Sequence, residues 1–176
     1  MTFSSWSHSS SEPWSFSKDQ DLFKQARLLI VDDDPAICDL LKEFLNHLGA
    51  HCDAAGHASQ AADFIQRNQY DAILSDIYMP EGVRGLDLLH FSTEHSPLTP
   101  FILMTGHPTL DNAVEAIRMG AYDFLTKPFN LDYVELMLSR ALHYRRLELE
   151  NQNYQAGLER KVEERTREVH DFLLNS

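Results

Sequence analysis

Four short apolar runs, each followed at once by a residue of distinctive chemistry, constrain this chain more than any other feature. Arg27-Leu28-Leu29-Ile30-Val31 leads into Asp32-Asp33, and Ala72-Ile73-Leu74-Ser75 leads into Asp76. Phe101-Ile102-Leu103-Met104 leads into Thr105, and Tyr122-Asp123-Phe124-Leu125-Thr126 leads into Lys127. Short apolar runs bounded by turn residues read as buried strands of a parallel sheet. The carboxyl ends of such strands share one edge, and ligands bind there at the point where strand order reverses. The spacing therefore predicts three carboxylates, a hydroxyl and an ammonium converging on one pocket, fitted to a divalent cation and a phosphoryl group.

The segments between the runs are helical. Pro35 sits well at a helix start, and Ile37, Leu40, Leu41, Phe44, Leu45 and Leu48 recur at helical spacing up to Gly49. Residues 50–55 form a modest second strand. Ala58, Ala61, Ala62, Phe64 and Ile65 mark a second helix, and Leu86, Leu88, Leu89 and Phe91 a third. Residues 108–119 form a fourth helix stopped by Gly120, residues 121–125 the fifth strand, and Leu131 opens a long final helix. Five alternations of strand and helix predict an α/β fold: a parallel sheet with right-handed crossovers and helices on both faces.

Composition excludes several classes. The 176 residues suffice for one sizeable core and some extra chain. No apolar run approaches the roughly 20 residues of a membrane helix, and without a basic region followed by an apolar stretch near residue 1 no secretory signal is expected. Cys38 and Cys52 fall in a predicted helix and strand, so neither a disulfide framework nor a zinc site is indicated, and a cytoplasmic location is expected. Residues 27–130 carry 15 acids and 6 bases of the chain's net −12. That charge argues against direct nucleic-acid binding.

Clustered carboxylates repel one another, and at least one would have its pKa raised if left alone. A hard divalent cation resolves the repulsion, and oxygen ligands with retained waters suit Mg²⁺. Taken alone, Asp32-Asp33-Asp34 reads as a solvated helix N-terminus, Lys127 as a surface ion pair and Thr105 as a strand-end hydroxyl. Their joint placement at equivalent strand ends is what points to a site. Asp76 is then the candidate nucleophile, able to accept a phosphoryl group as an aspartyl phosphate. The cation and Lys127 would neutralise charge, and Thr105 would donate to a phosphoryl oxygen.

Residues 27–145 resemble the receiver domain of two-component response regulators. The resemblance rests on Leu29-Ile30-Val31-Asp32-Asp33-Asp34-Pro35, Ser75-Asp76-Ile77-Tyr78-Met79-Pro80, Met104-Thr105-Gly106-His107 and Thr126-Lys127-Pro128-Phe129. It implies a flavodoxin-like, doubly wound (βα)5 sheet of order 2-1-3-4-5. It also implies Asp76 as phosphoacceptor, with Asp33, Asp76 and the Tyr78 backbone carbonyl as Mg²⁺ ligands and Asp32 acting through water. The Lys127–Pro128 peptide would be cis. Phe124 falls at the family's switch aromatic, turning inward as Thr105 is drawn to the phosphoryl group. That would bias the surface of the fourth helix, fifth strand and fifth helix. Tyr78 and His107 stand at the positions that govern phosphoryl lifetime, where their bulk would shield the acyl phosphate. The loop of residues 80–85 is one residue longer than the family's usual form.

The ends differ in kind. Residues 1–17 hold eight serines with Phe3, Trp6, Trp14 and Phe16 scattered among them. We expect residues 1–25 to be a disordered Ser-rich tail. Residues 26–145 then form the receiver and 146–176 a coiled-coil linker. Leu131, Val134, Met137 or Leu138, Ala141 and Leu142 fit a helix packed on the sheet. Beyond them, residues 147, 151, 154, 158, 162, 165, 169 and 173 form a stripe in which six of eight are apolar. Its 11-residue repeat favours a straight or slightly right-handed coiled coil, with Arg160–Glu164 and Glu163–Arg167 paired outside. Gly157 weakens the helix by roughly 1 kcal/mol. The segment 154–169 resembles linker helices leading to output domains such as HD-GYP phosphodiesterases, cyclases and kinases. Because the pattern runs to the last residues, an output domain is expected beyond them.

The function these features predict is a phosphoacceptor receiver. It takes its phosphoryl group from a sensor histidine kinase or phosphotransfer protein and passes its state through a parallel homodimeric tail. It is not itself an enzyme beyond Mg²⁺-dependent self-phosphorylation and dephosphorylation. The alternative is a stand-alone receiver acting as phosphoryl shuttle or sink. A dehalogenase-like phosphatase would need a second Asp two residues after its nucleophile: Asp76 has Tyr78 there, and Asp32 has Asp34 but no cap domain. A DNA-binding regulator would need a basic recognition helix, which is lacking.

Overall fold

A computed structural model describes residues 19–79, 82 and 84–175. The elements are α1 (Asp19–Phe23), β1 (Arg27–Val31), α2 (Pro35–His47), β2 (His51–Ala55), α3 (Ala58–Arg67), β3 (Ala72–Asp76), α4 (Gly85–His95), β4 (Phe101–Thr105), α5 (Leu110–Arg118), β5 (Asp123–Thr126) and α6 (Leu131–Leu174). The strands form one parallel sheet of order β2-β1-β3-β4-β5. The doubly wound, flavodoxin-like architecture expected from the sequence is what the chain adopts, with a long C-terminal helix added.

Successive side chains of a strand point to opposite faces, and this sheet uses both. Leu28, Ile30, Leu74, Ile102 and Met104 pack with α2 and α6 through Leu41, Leu45, Val134, Leu138 and Ala141. Leu29, Val31, Ile73, Phe101 and Leu103 face α3, α4 and α5 through Ala61, Ile65, Leu86, Leu89 and Ala116. The apolar residues of β1, β3 and β4 are therefore almost wholly buried, which explains their uninterrupted apolar sequences.

Element edges shift by one or two residues from the sequence reading. The fourth crossover helix begins at Leu110 rather than 108, because the Thr109 hydroxyl accepts from the Asn112 N–H at 3.2 Å and caps it. The fifth strand is Asp123–Thr126, not 121–125; the Ala121 N–H is still bonded to the Ala116 carbonyl of the preceding helix end. Gly49 and Gly120 take positive φ, 104° and 95°, where α2 and α5 turn back toward the sheet.

The assignment of 1–25 to a disordered tail needs correction at its end. Asp19–Phe23 is a short helix, and Phe23 is completely buried in the core beside α2 and α6, with Leu22 packed against it. Five residues without periodicity gave no signal; the burial comes from a cleft made by distant elements. The earlier residues, 1–18, lie outside those described.

Close by, the Asp71 carboxylate fastens two elements. One oxygen accepts from the Arg27 N–H at 2.7 Å, and the other meets the Arg145 guanidinium at 2.9 Å. Arg145 thus ties α6 to the amino ends of β1 and β3 just past its last buried residue, Leu142. Beyond this root α6 continues as one helix to Leu174, unbroken at Gly157. Leu147, Tyr154, Leu158, Val162, Val169 and Leu173 along it are exposed. Of the tail's charges, Arg165 pairs with Glu168 at 3.1 Å; the structure shows this pair rather than the i,i+4 pairs expected at 160–164 and 163–167.

Phe23→Ala should lower stability by about 3–5 kcal/mol, read from the urea midpoint at constant m. An unchanged midpoint would mean that α1 contributes nothing to the core.

Candidate functional site

The parallel register sets the ends of the strands side by side. Val31 lies opposite Ser75, Asp76 opposite Met104 and Thr105 opposite Thr126. Asp32, Asp76, Thr105 and Lys127 therefore emerge at one edge. The Lys127 ammonium sits between two carboxylates, 2.5 Å from Asp32 Oδ2 and 3.0 Å from Asp76 Oδ2. Its backbone N–H donates to the Thr105 carbonyl at 2.7 Å, fixing the segment that follows β5. The Lys127–Pro128 peptide is cis.

Asp32 is 1% exposed and both its oxygens have protein donors: Lys127 on one, the Asp34 N–H at 2.9 Å on the other. Asp76, 8% exposed, accepts from the Tyr78 N–H at 3.2 Å through Oδ1. Asp33 is exposed, and no donor among the described residues is bonded to its carboxylate. An oxygen from each of these three acids lies within 4.8 Å of the others. Thr105 is fully buried, and its Oγ1 accepts from the His107 N–H at 3.1 Å. That bond leaves the hydroxyl proton free to be donated toward the edge.

Burial pushes the Asp32 carboxyl up against the opposing pull of the Lys127 hydrogen bond. Burial draws Lys127 down, but hydrogen bonds to Asp32 and then Asp76 outweigh it and hold the ammonium above its ordinary pKa. Lys127 is thus a fixed cation at neutral pH, facing three acids. One positive charge does not balance three carboxylates, so the pocket retains an excess of negative charge. The donor set is all oxygen, and among the described residues Asp33 is uncommitted and Asp76 has one protein donor besides Lys127. This fits a hard divalent cation such as Mg²⁺.

The remaining predicted residues are placed as follows. Phe124 is half-buried against the α3–α5 side of the core. His107 is exposed beside Thr105, and Tyr78 is 52% exposed. The expected extra residue in the 80–85 loop falls largely on residues outside those described. Two features were missed from sequence. Burial pushes the Cys38 thiol up to about 11, and its Sγ lies 3.4 Å from the Asp32 carbonyl oxygen. More telling is Gly85. A Cβ at this position would fall 2.1 Å from the Asp76 carbonyl oxygen, and its N–H donates to the Ile77 carbonyl at 2.7 Å. Gly85 lets the start of α4 press against the backbone that presents Asp76. A glycine opening a helix was the available signal, but only the crossover reveals what it approaches.

The family profile of the response regulator receiver domain matches residues 28–139. Over 123 residues the chain is 39% identical to the DNA-binding transcriptional regulator NtrC of Proteus hauseri, covering 69% of this chain and 26% of that protein. The chain thus spans about a quarter of the length of the curated relatives it matches. Among solved structures, the beryllofluoride-activated NtrC4 receiver domain dimer is 36% identical at a TM-score of 0.64, covering 68% of this chain and 98% of that one. The signal receiver domain of an HD domain-containing protein from Pseudomonas fluorescens Pf-5 is 30% identical at 0.69, covering 72% and 93%.

Gly85→Ala should force the α4 start away from β3 and cost at least about 2 kcal/mol, the scale of overpacking a closed site. Chemical denaturation checks this, and Gly56→Ala, with nothing within 4 Å of its Cβ, is the matched control.

Proposed function

Because this chain belongs to the response regulator receiver family, we propose that Asp76 accepts a phosphoryl group from a phosphorylated histidine of a sensor kinase or phosphotransfer protein. The observation that carries this reading is the Lys127 ammonium bridging Asp32 and Asp76 at the carboxyl edge of the sheet. A carboxylate oxygen of Asp76 attacks phosphorus in line with the departing imidazole nitrogen. The P–O bond forms as the P–N bond breaks, and the imidazole leaves with a proton. Such transfer depends on positioning and charge neutralisation rather than on acid–base chemistry.

The residues divide that work. Lys127 moves its hydrogen bond from the Asp76 carboxylate to a phosphoryl oxygen, and the Thr105 hydroxyl donates to another. Asp33, Asp76 and the Tyr78 carbonyl would hold Mg²⁺ directly, with Asp32 behind a water; Asp32's two protein-bonded oxygens suit that outer role. The bound ion would neutralise the phosphoryl oxygens and the acid cluster. Tyr78 and His107 flank Asp76 and Thr105 and limit water's access to the acyl phosphate. The drawn-in Thr105 leaves space that Phe124 enters, which alters the face of α5, β5 and α6.

That face and the tail are the output. Leu110, Val114 and Ile117 form an exposed apolar line on α5, and Tyr133 and Leu136 are exposed on α6. The apolar stripe beyond Leu147 supports a parallel coiled-coil dimer that carries the state to an output domain or partner. The receiver itself would catalyse nothing beyond its own phosphorylation and dephosphorylation. It would work in the cytoplasm; no described helix is long and apolar enough to cross a membrane.

Incubation with Mg²⁺ and phosphoramidate should add the mass of one phosphoryl group to the wild type and none to Asp76→Asn. Intact-mass spectrometry reads this, and no gain in the wild type would sink the proposal. Ending the chain at Tyr144 should convert a dimer to a monomer by light scattering; an unchanged state would remove the tail's role.

A further inference from the structure

The loop after Asp76 and the helix after Thr105 are joined at two adjacent points. Asn112 Nδ2 donates to the Tyr78 hydroxyl at 2.9 Å, and the Arg84 guanidinium meets Glu115 Oε1 at 3.3 Å. The two sets of partners are neighbours on each side. Tyr78 and Arg84 face each other in an isolated antiparallel bridge that closes the loop. Asn112 and Glu115 are one turn apart, on a single face of α5. The loop side of this connection is rigidly referenced to the acceptor: the Tyr78 N–H holds Asp76 Oδ1, and Gly85 presses on the Asp76 carbonyl. The helix side follows Thr105 after only four residues, 106–109, with Thr109 as its cap.

From this arrangement we infer that Asn112, through Tyr78, and Glu115, through Arg84, latch α5 to the acceptor loop in the unphosphorylated protein. The inference rests on the reading that Asp76 takes the phosphoryl group and that Thr105 then shifts toward it. A shift of Thr105 carries the start of α5 with it, while the loop stays referenced to the Asp76 backbone. The two sides then slide past each other, and both contacts are strained or broken. The latch therefore stabilises the resting arrangement, and a ligand at Asp76 gains nothing from it. Asn112 touches no reacting atom; it is a positioning residue that sets how readily α5 follows the acceptor site. Both contacts are partly exposed, with Tyr78 52% accessible, so each is worth no more than an ordinary net hydrogen bond or surface ion pair.

The test uses the full chain with Tyr78→Phe, Asn112→Ala and the double variant. Tyr78→Phe removes only the hydroxyl. In unmodified protein, amide exchange over residues 110–118 should rise about threefold in either single variant, with no further rise in the double, as expected for one shared hydrogen bond. Phosphorylation by phosphoramidate with Mg²⁺ should be faster by a similar factor, because the competent arrangement becomes more populated. Glu115→Gln should act in the same direction and add to Asn112→Ala. Unchanged exchange, or additive effects of Tyr78→Phe and Asn112→Ala, overturns the latch. Faster exchange without faster phosphorylation overturns its regulatory role. If the wild type gains no phosphoryl group, the acceptor reading fails, and the exchange measurements still decide whether the latch exists.

Discussion

The structure turns on one ammonium group. Lys127 lies within 3.0 Å of carboxylate oxygens from both Asp32 and Asp76, and it is the charge that lets two buried acids stand together at a sheet edge. Burying an ion pair costs several kcal/mol per ion in lost hydration, and the attraction offsets this only where geometry is good and the remaining valences are satisfied. Here the Asp34 and Tyr78 N–H groups complete the two carboxylates from the chain that immediately follows each strand. Asp33 is left over. One ammonium leaves these two acids with a net negative charge, and Asp33 adds to it, so the cluster is held together by Lys127 while its charge suits a further cation. Structural sufficiency and functional incompleteness come from the same residues.

Everything beneath that edge serves to hold it. Strands β1, β3 and β4 are buried on both faces, so their ends cannot drift without disturbing one of two apolar layers. The opposite edge is fastened differently. There Asp71 binds the start of β1 and the root of α6 together, and Phe23 fills the space beside them. Strands β1 and β3 thus run from a clasp on the long helix at one end to the acid pocket at the other. Two of the site's acids, Asp32 and Asp76, and the root of the emerging tail are thus tied to the same two strands.

Much of this was legible in the sequence. Alternating and continuous apolar runs carry the local period of an element, and a residue's position relative to its own strand end follows from that period alone. Asp32, Asp33, Asp76, Thr105 and Lys127 could be placed together because parallel crossovers leave all carboxyl ends on one edge. Val134, Ala141 and Leu142 on the core face of α6 were readable from helical spacing in the same way, and Met137 and Leu138, which the spacing left as alternatives, are both buried.

What the sequence could not determine are the contacts between elements whose separation along the chain is long and whose partners carry no pattern. Phe23 looked like the end of a polar tail because five residues have no period; it is core because α2 and α6 leave a space there. Gly85 looked like a loop glycine until the crossover from β3 brought its Cα against the Asp76 carbonyl. Asn112 and Glu115 carry no pattern that marks them in the sequence; only the tertiary structure brings the loop bearing Tyr78 and Arg84 alongside them. By itself, the sequence determined which side chains reach the edge of the sheet, because strand and helix periods are local. Tertiary structure alone decided what those side chains are braced against, because bracing depends on the path of the connections and not on any period within them.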